Sequence, residues 1–164
     1  MQPKRKESSS VVMAQRLLPQ DANFAGNVHG GVILKQIDIT AATVAMRHAR
    51  CNVVTASLDR MDFLRPVHVG ELVYFKASLN FVGHTSMEVG VRVEAEDLIT
   101  GELRYTNSAY LTFVALDPAG RPTPVPGLEL ETEEDHRRWR EAAERRRVRL
   151  ALKASERRSQ GGEG

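Results

Sequence analysis

From Val32 to Arg50 the sequence runs without a proline or glycine, and Val32, Ile33, Leu34, Ile37, Ala41, Ala42, Val44 and Ala45 spread around most of a helical wheel. A helix apolar on nearly all sides has to be buried, so the remainder of the chain must enclose it. Gly30 and Gly31 open this helix, and Arg47, His48 and Arg50 near its end suit the negative pole of its dipole, which predicts one helix over 30–49.

The segment after the helix can do the enclosing, because the apolar period changes there from about 3.6 to 2. Four strand signals come in series. Asn52 to Val67 is the first, bounded by Pro66 and Gly70. Val73, Phe75, Ala77, Leu79 and Phe81 share one face of the second. In the third, Met87, Val89, Val91, Val93 and Ala95 alternate with Glu88, Gly90, Arg92, Glu94 and Glu96, so one of its faces is expected to meet water. Tyr105 to Leu116 is the last, stopped by Asp117 and Pro118. A short strand within "SSSVVMAQRLLP" precedes the helix. One strand, one long helix and a meander of four strands predict an α+β fold: a curved antiparallel sheet wrapped around one central helix.

The ends read differently. Residues 1–7 are charged and without apolar pattern, hence expected to be disordered. The folded domain spans 8–118 and has no internal repeat. "PAGRPTPVPG", with four prolines in ten residues, reads as an extended connector of few contacts over 119–130. A charged helix is expected over 131–158, with Thr132 and Asp135 at capping-box spacing, and then a disordered tail over 159–164. That helix carries ten Lys or Arg against seven acids between Glu131 and Arg158. Its apolar residues, Trp139 and Val148 among them, form no broad stripe, which argues against membrane insertion and for a solvated helix that packs Trp139 on a domain or helps oligomerise the protein.

Composition narrows the class. The 164 residues are 41% apolar and 27% charged, as in soluble globular domains, and no apolar segment reaches the roughly 18 to 20 residues of a membrane span. Net charge is +2, too small for non-specific nucleic-acid binding by the whole protein. The N-terminus lacks a signal-peptide apolar region, and Cys51 is the single cysteine, so a reduced thiol and a cytoplasmic location are expected.

The chemistry concentrates in "DANFAGNVHGGVILKQID". The first N–H groups of a buried helix lack intrahelical partners and sit at its positive pole, and glycines let a ligand approach closely. Such N–H groups can hold a carbonyl as it becomes an oxyanion, at about 3 to 4 kcal/mol per donor. Two turns further in, Asp38 interrupts the apolar helix. A carboxylate buried alone costs several kcal/mol, on the order of the effective penalty for any buried ion, so Asp38 must be paired, wet or open to a pocket. Lys35, three residues earlier, offers a purely structural ion pair. Asn23 and Asn27 are ordinary turn residues when taken singly, and His29 alone is a histidine making one hydrogen bond. Together, amide, His-Gly-Gly, helix start and acid describe a candidate acyl-transfer site.

"DANFAGNVHGGVILKQID", "VVTASLDRMDFLRPVHVGE" and "GHTSMEVGVRV" as a set closely resemble the acyl-CoA thioesterases of the hotdog fold, in the branch that includes cytosolic long-chain acyl-CoA hydrolases. The resemblance runs from about Val12 to Pro126. It implies hydrolysis of a fatty acyl-CoA thioester to free CoA and a carboxylic acid, with CoA as part of the substrate and no separate cofactor or metal. By the same resemblance Asp38 is the catalytic acid, acting as general base or as nucleophile through a mixed anhydride, and Asn23 its catalytic partner. His29, Gly30 and Gly31 would position the thioester. CoA carries phosphates, for which Arg60, Arg65, Thr85 and Ser86 are candidates, though surface arginines and turn hydroxyls are equally ordinary.

Two departures matter. Relatives with two hotdog repeats in one chain take the Asn from one repeat and the Asp from the other, whereas this chain holds both in one. That implies self-association as a dimer, extending to a trimer of dimers, with each site shared. Relatives often carry a second acid after the first, but here Ile39 comes directly after Asp38. Other hydrolases lack their residues: there is no Gly-x-Ser-x-Gly, His-Glu-x-x-His, phosphate loop or Rossmann fingerprint. A non-catalytic acyl-CoA binding or regulatory module is the alternative of another class.

Overall fold

In the computed structural model, which describes residues 1–59 and 61–160, the apolar segment forms a single 20-residue helix, α1 (Gly30–Ala49). In chain order the strands are β1 (Lys4–Arg5), β2 (Val11–Arg16), β3 (Asn52–Leu58), β4 (Leu72–Val82), β5 (Ser86–Glu96), β6 (Leu103–Leu116) and β7 (Leu128–Glu129), with α2 (Glu133–Gln160) after them. Five strands make one antiparallel sheet in the order β2-β4-β5-β6-β3, and β1 pairs with β7 in a separate parallel ribbon. Residues Met1–Glu129 and the segment from Leu130 onward are two separate compact units. Among the described residues no helix is long and apolar enough to cross a membrane.

The core is the space between α1 and the concave side of the sheet. Phe75 and Leu79 from β4, Met87, Val89 and Val93 from β5, and Leu111 and Phe113 from β6 meet Ile33, Ile37, Ala41, Val44 and Ala45 of α1, all essentially without solvent contact. Burial is one-sided, however. Ile39 and Met46, on the opposite side of α1, remain 40% and 47% exposed, so one sheet encloses half the helix rather than all of it. A wheel apolar all round reports how many surfaces cover a helix in total, not how many of them belong to its own chain.

The convex side of the sheet also departs from expectation. Glu88 and Glu94, assigned to a face meeting water, are 2% and 8% exposed. Long polar side chains cover one another there: Asn80 donates to Glu88 at 3.3 Å, while Lys76 and Arg92 hold Glu94 at 2.6 and 2.7 Å. Those donors keep the Glu94 carboxyl below its ordinary range, Arg92 contributing most.

Neither the N-terminus nor the proline-rich connector is loose. Lys4 pairs with Leu128 through β1 and β7, and its ammonium donates to the His48 carbonyl at 2.6 Å. Thr123 and Val125 donate to Ala115 and His84 at 2.9 and 3.0 Å, and Val125 is buried. Prolines surrender their own N–H groups, yet the residues between them still bond and proline carbonyls still accept. In the second unit the Thr132 hydroxyl accepts from the Asp135 N–H at 3.1 Å and Asp135 accepts from the Thr132 N–H at 3.0 Å, the reciprocal cap its spacing implied. α2 begins at Glu133 and continues through residues 159 and 160, past the expected boundary at 158; residues 161–164 of the expected tail lie outside the described residues.

His48 ties the last turn of α1 to the connector and makes the fold sensitive to acid. It is fully buried, and its Nε2 donates to the Pro126 carbonyl at 2.7 Å, while Nδ1 has no partner among the described residues. Burial pushes its pKa below the ordinary 6.5, which the Pro126 bond opposes and the nearby Lys4 charge reinforces. The unfolded chain therefore binds a proton that the native state refuses, so stability is full above about pH 6.5 and falls as pH drops through the native pKa. Urea unfolding midpoints should decline from pH 7.5 to pH 5, and His48→Gln, which keeps a donor for Pro126 without titrating, should flatten that decline. An equal decline in the variant would show that His48 is not the group responsible.

Candidate active site

The loop before α1 is a closed structure of its own. Asn23 N–H donates to the Asn27 carbonyl at 2.7 Å, and the Asn23 side-chain oxygen accepts from the N–H groups of Ala25 and Asn27 at 2.9 and 3.2 Å. Two backbone donors on one end of the amide identify that end as the oxygen, which leaves the NH2 group without a partner among the described residues. Asn23 is thus a turn residue and a presented donor at once. The loop is fastened to the segment before β4 by Val28 N–H to Val67 O at 2.8 Å and Gly70 N–H to Leu17 O at 2.7 Å. That segment is in turn held by Glu71, buried and bonded by Arg104 at 2.6 and 3.0 Å. Burial alone would raise the Glu71 carboxyl, but Arg104 and the His68 N–H outweigh it and hold it below its ordinary value.

At the helix start the two glycines make room for two different rings. His29 is the N-cap of α1, and its Nδ1 accepts from the Gly31 N–H at 2.9 Å, which places the neutral ring's proton on Nε2. A side chain at position 31 would meet that ring at 3.1 Å. At position 30 a side chain would meet the edge of Phe63 at 3.4 Å. The cap spends the Gly31 donor internally, so of the two expected oxyanion donors only the Gly30 N–H is left without an acceptor among the described residues.

Gly30, Asn23, Asn27 and Arg65 share a cleft of about 430 Å³ with an apolar floor of Val28, Ile33 and Val67 and a wall of Phe63, Leu64 and Pro66. Asp38 is not part of it. Eight residues further along α1, it lies about 12 Å from Gly30 along the axis. There the Thr55 hydroxyl of β3 donates to its Oδ1 at 2.7 Å, while Oδ2 has no partner and no ion pair to Lys35 forms among the described residues. The structural pairing with Lys35 is therefore replaced by a hydrogen bond from a neutral hydroxyl that leaves the carboxylate half-buried with one oxygen open. Thr55 escapes a reading of the sequence; its only signal is a hydroxyl in the strand "VVTASL".

Among the described residues the CoA candidates are not gathered in one place. Arg65 lines the cleft. Thr85 and Ser86 sit at the β4–β5 turn, where Ser86 pairs with Val114 and Val114 with Val54, near the end of the sheet that α1 reaches with its C-terminus. Arg60 lies outside the described residues.

A single helix seated in a curled antiparallel sheet, its N-terminus opening into a cleft, is the hotdog architecture, and the model of the Thioesterase superfamily matches residues 25–102, which hold α1 and β3 to β5. Within it the chain belongs to the acyl-CoA thioester hydrolases. It is 43% identical over 129 residues to the "Uncharacterized acyl-CoA thioester hydrolase YkhA" of Bacillus subtilis, covering 79% of this chain and 75% of that protein. A structure described as an apo-hexameric acyl-CoA thioesterase superposes with a TM-score of 0.90 at 40% identity over 94% of this chain and 99% of that one. The acyl-CoA hydrolase of Staphylococcus aureus, solved with butyryl-CoA, CoA and CoA disulfide, superposes with a TM-score of 0.87 at 34% identity over 95% of each chain.

Proposed function

We propose that the protein hydrolyses fatty acyl-CoA to a carboxylic acid and free CoA at a site shared between two copies of the chain. The observation that carries this is the pairing of a Gly30 N–H and an Asn23 amide end, both without a partner among the described residues, in one apolar-floored cleft, about 12 Å along α1 from Asp38, whose Oδ2 is open. Those two donors would bind the thioester oxygen and stabilise it as charge develops. Reacting atoms must approach to about 3 to 3.5 Å, so Asp38 of the same chain is too distant to serve that carbonyl. A second chain supplies the missing group.

The surface around Asp38 supports this arrangement. β3 is the terminal strand of the sheet, with no strand on its outer edge among the described residues. Val54 and Leu58 on β3 and Ile39 and Met46 on α1 are exposed apolar residues. An unpaired edge flanked by apolar side chains favours pairing with an identical edge across a two-fold axis, which continues the sheet and covers the open side of α1. The hexameric state named for the relative supports three such dimers per assembly. Asp38 then either removes a proton from the attacking water or attacks the carbonyl carbon itself, expelling the CoA thiolate and forming an anhydride that water cleaves. Arg65, which lines the cleft, would meet a charged part of CoA.

Thiol release from a panel of acyl-CoAs, monitored with a thiol reagent, should exceed background by several orders of magnitude. Binding of CoA without any thiol release would overturn the hydrolase reading in favour of a binding module.

A further inference from the structure

Building on the hydrolase reading, we infer that Phe63 determines specificity at the α-carbon of the acyl group, admitting linear chains and excluding α-branched ones. The outer edge of its ring, atoms Cζ, Cε1 and Cε2, stands 3.4 to 3.8 Å from where a side chain on Gly30 would begin. Phe63 thus rests against the residue whose N–H is the one free donor at the helix start. A carbonyl oxygen accepting from that N–H lies about 2.9 Å from the nitrogen, and the acyl α-carbon is only two bonds beyond the oxygen. The ring edge and any substituent on that carbon compete for the same few ångströms.

Three further observations fit this role. Half of the Phe63 surface is exposed, at 52%, although the ring touches the helix start, so one side remains for a ligand. Its neighbours Leu64, Pro66, Val67 and Ile33 in the wall and floor are apolar, which suits the acyl part of the substrate, while Asn23, Asn27 and Arg65 supply the polar groups of the same cleft. The segment is anchored on either side: the Met61 side chain accepts at Sδ from Asn107 Nδ2 at 3.2 Å, the Leu64 backbone N–H donates to the Thr106 carbonyl at 3.3 Å, and Arg104 donates to the Pro66 carbonyl at 3.1 Å. The segment that carries the ring is therefore anchored beside the helix start, with the ring edge against Gly30.

Butyryl-CoA and isobutyryl-CoA test this directly, because they differ only by branching at the α-carbon. Wild type should favour the linear thioester in kcat/KM by about ten-fold or more, within the range that apolar pockets achieve. Phe63→Ala should bring the ratio close to one, chiefly by raising kcat/KM for isobutyryl-CoA, with Phe63→Leu between. An unchanged ratio, or an equal loss for both substrates, would overturn the assignment. Calorimetric binding of the same pair to Asp38→Ala protein, with and without Phe63→Ala, reads the preference without turnover. A Kd ratio indifferent to Phe63 would count against Phe63, whereas absent hydrolysis by wild type would count against the hydrolase reading alone.

Discussion

Replacing Asp38 by alanine or asparagine is expected to lower thiol release by about a hundred- to ten-thousand-fold, the scale of a lost general base, with greater loss where the carboxylate is itself the nucleophile. The asparagine variant is the sharper of the two. Its side-chain oxygen can still accept the hydrogen bond that Thr55 makes to Asp38 at 2.7 Å, so local geometry is retained while charge and basicity vanish. Because Asp38 is half-buried and supports no ion pair among the described residues, neither change should cost much stability, and CoA binding should persist. Thermal melts and CoA titration accompany the rate measurement. Rates equal to wild type in a folded, CoA-binding Asp38→Asn protein would remove Asp38 from the mechanism.

The residues that announce the fold do so through periodicity. A 20-residue stretch without proline and with glycine only at its start, then runs alternating at every second position, leave few ways to arrange one helix and one sheet, and α1 begins and ends at Gly30 and Ala49 as the pattern implies. Periodicity names the residues that share a face and is silent about what covers that face. Hence Glu88 and Glu94 read as solvated yet are covered by neighbouring polar side chains, and the side of α1 holding Ile39 and Met46 reads as buried yet is left open by its own chain.

The site is legible in part, for a different reason. Helix-start glycines after a histidine have a local chemistry readable from neighbours in sequence, but local chemistry does not say which N–H the histidine will use. The 2.9 Å bond from Gly31 to His29 is a contact between residues two apart, yet it competes with the oxyanion role and depends on the ring's rotamer. Thr55 and Phe63 lie beyond reach of such reasoning. Thr55 meets Asp38 across 17 residues, at a strand irregularity between Thr55 and Ser57, and Phe63 meets Gly30 from a segment without regular structure. Contacts made through tertiary packing leave no periodic trace.

Mixing two inactive proteins tests whose Asp38 serves each cleft. Asn23→Ala and Asp38→Ala homo-oligomers should each be nearly inert, since every site in the first lacks the amide donor and every site in the second lacks the carboxylate. After subunit exchange, half the dimers are mixed if pairing is random. In a mixed dimer one site inherits both lesions and the other inherits neither, so about a quarter of wild-type activity should return. A site built within one chain predicts the opposite, because each subunit would carry its own lesion wherever it went and exchange would restore nothing. The about 12 Å of helix between Gly30 and Asp38 already disfavours that arrangement. Partial denaturant, or dilution and then reconcentration, can drive exchange, with mass spectrometry confirming mixed dimers. Full exchange without recovered thiol release would place both residues' roles within one subunit, and the open edge of β3 would then need another explanation.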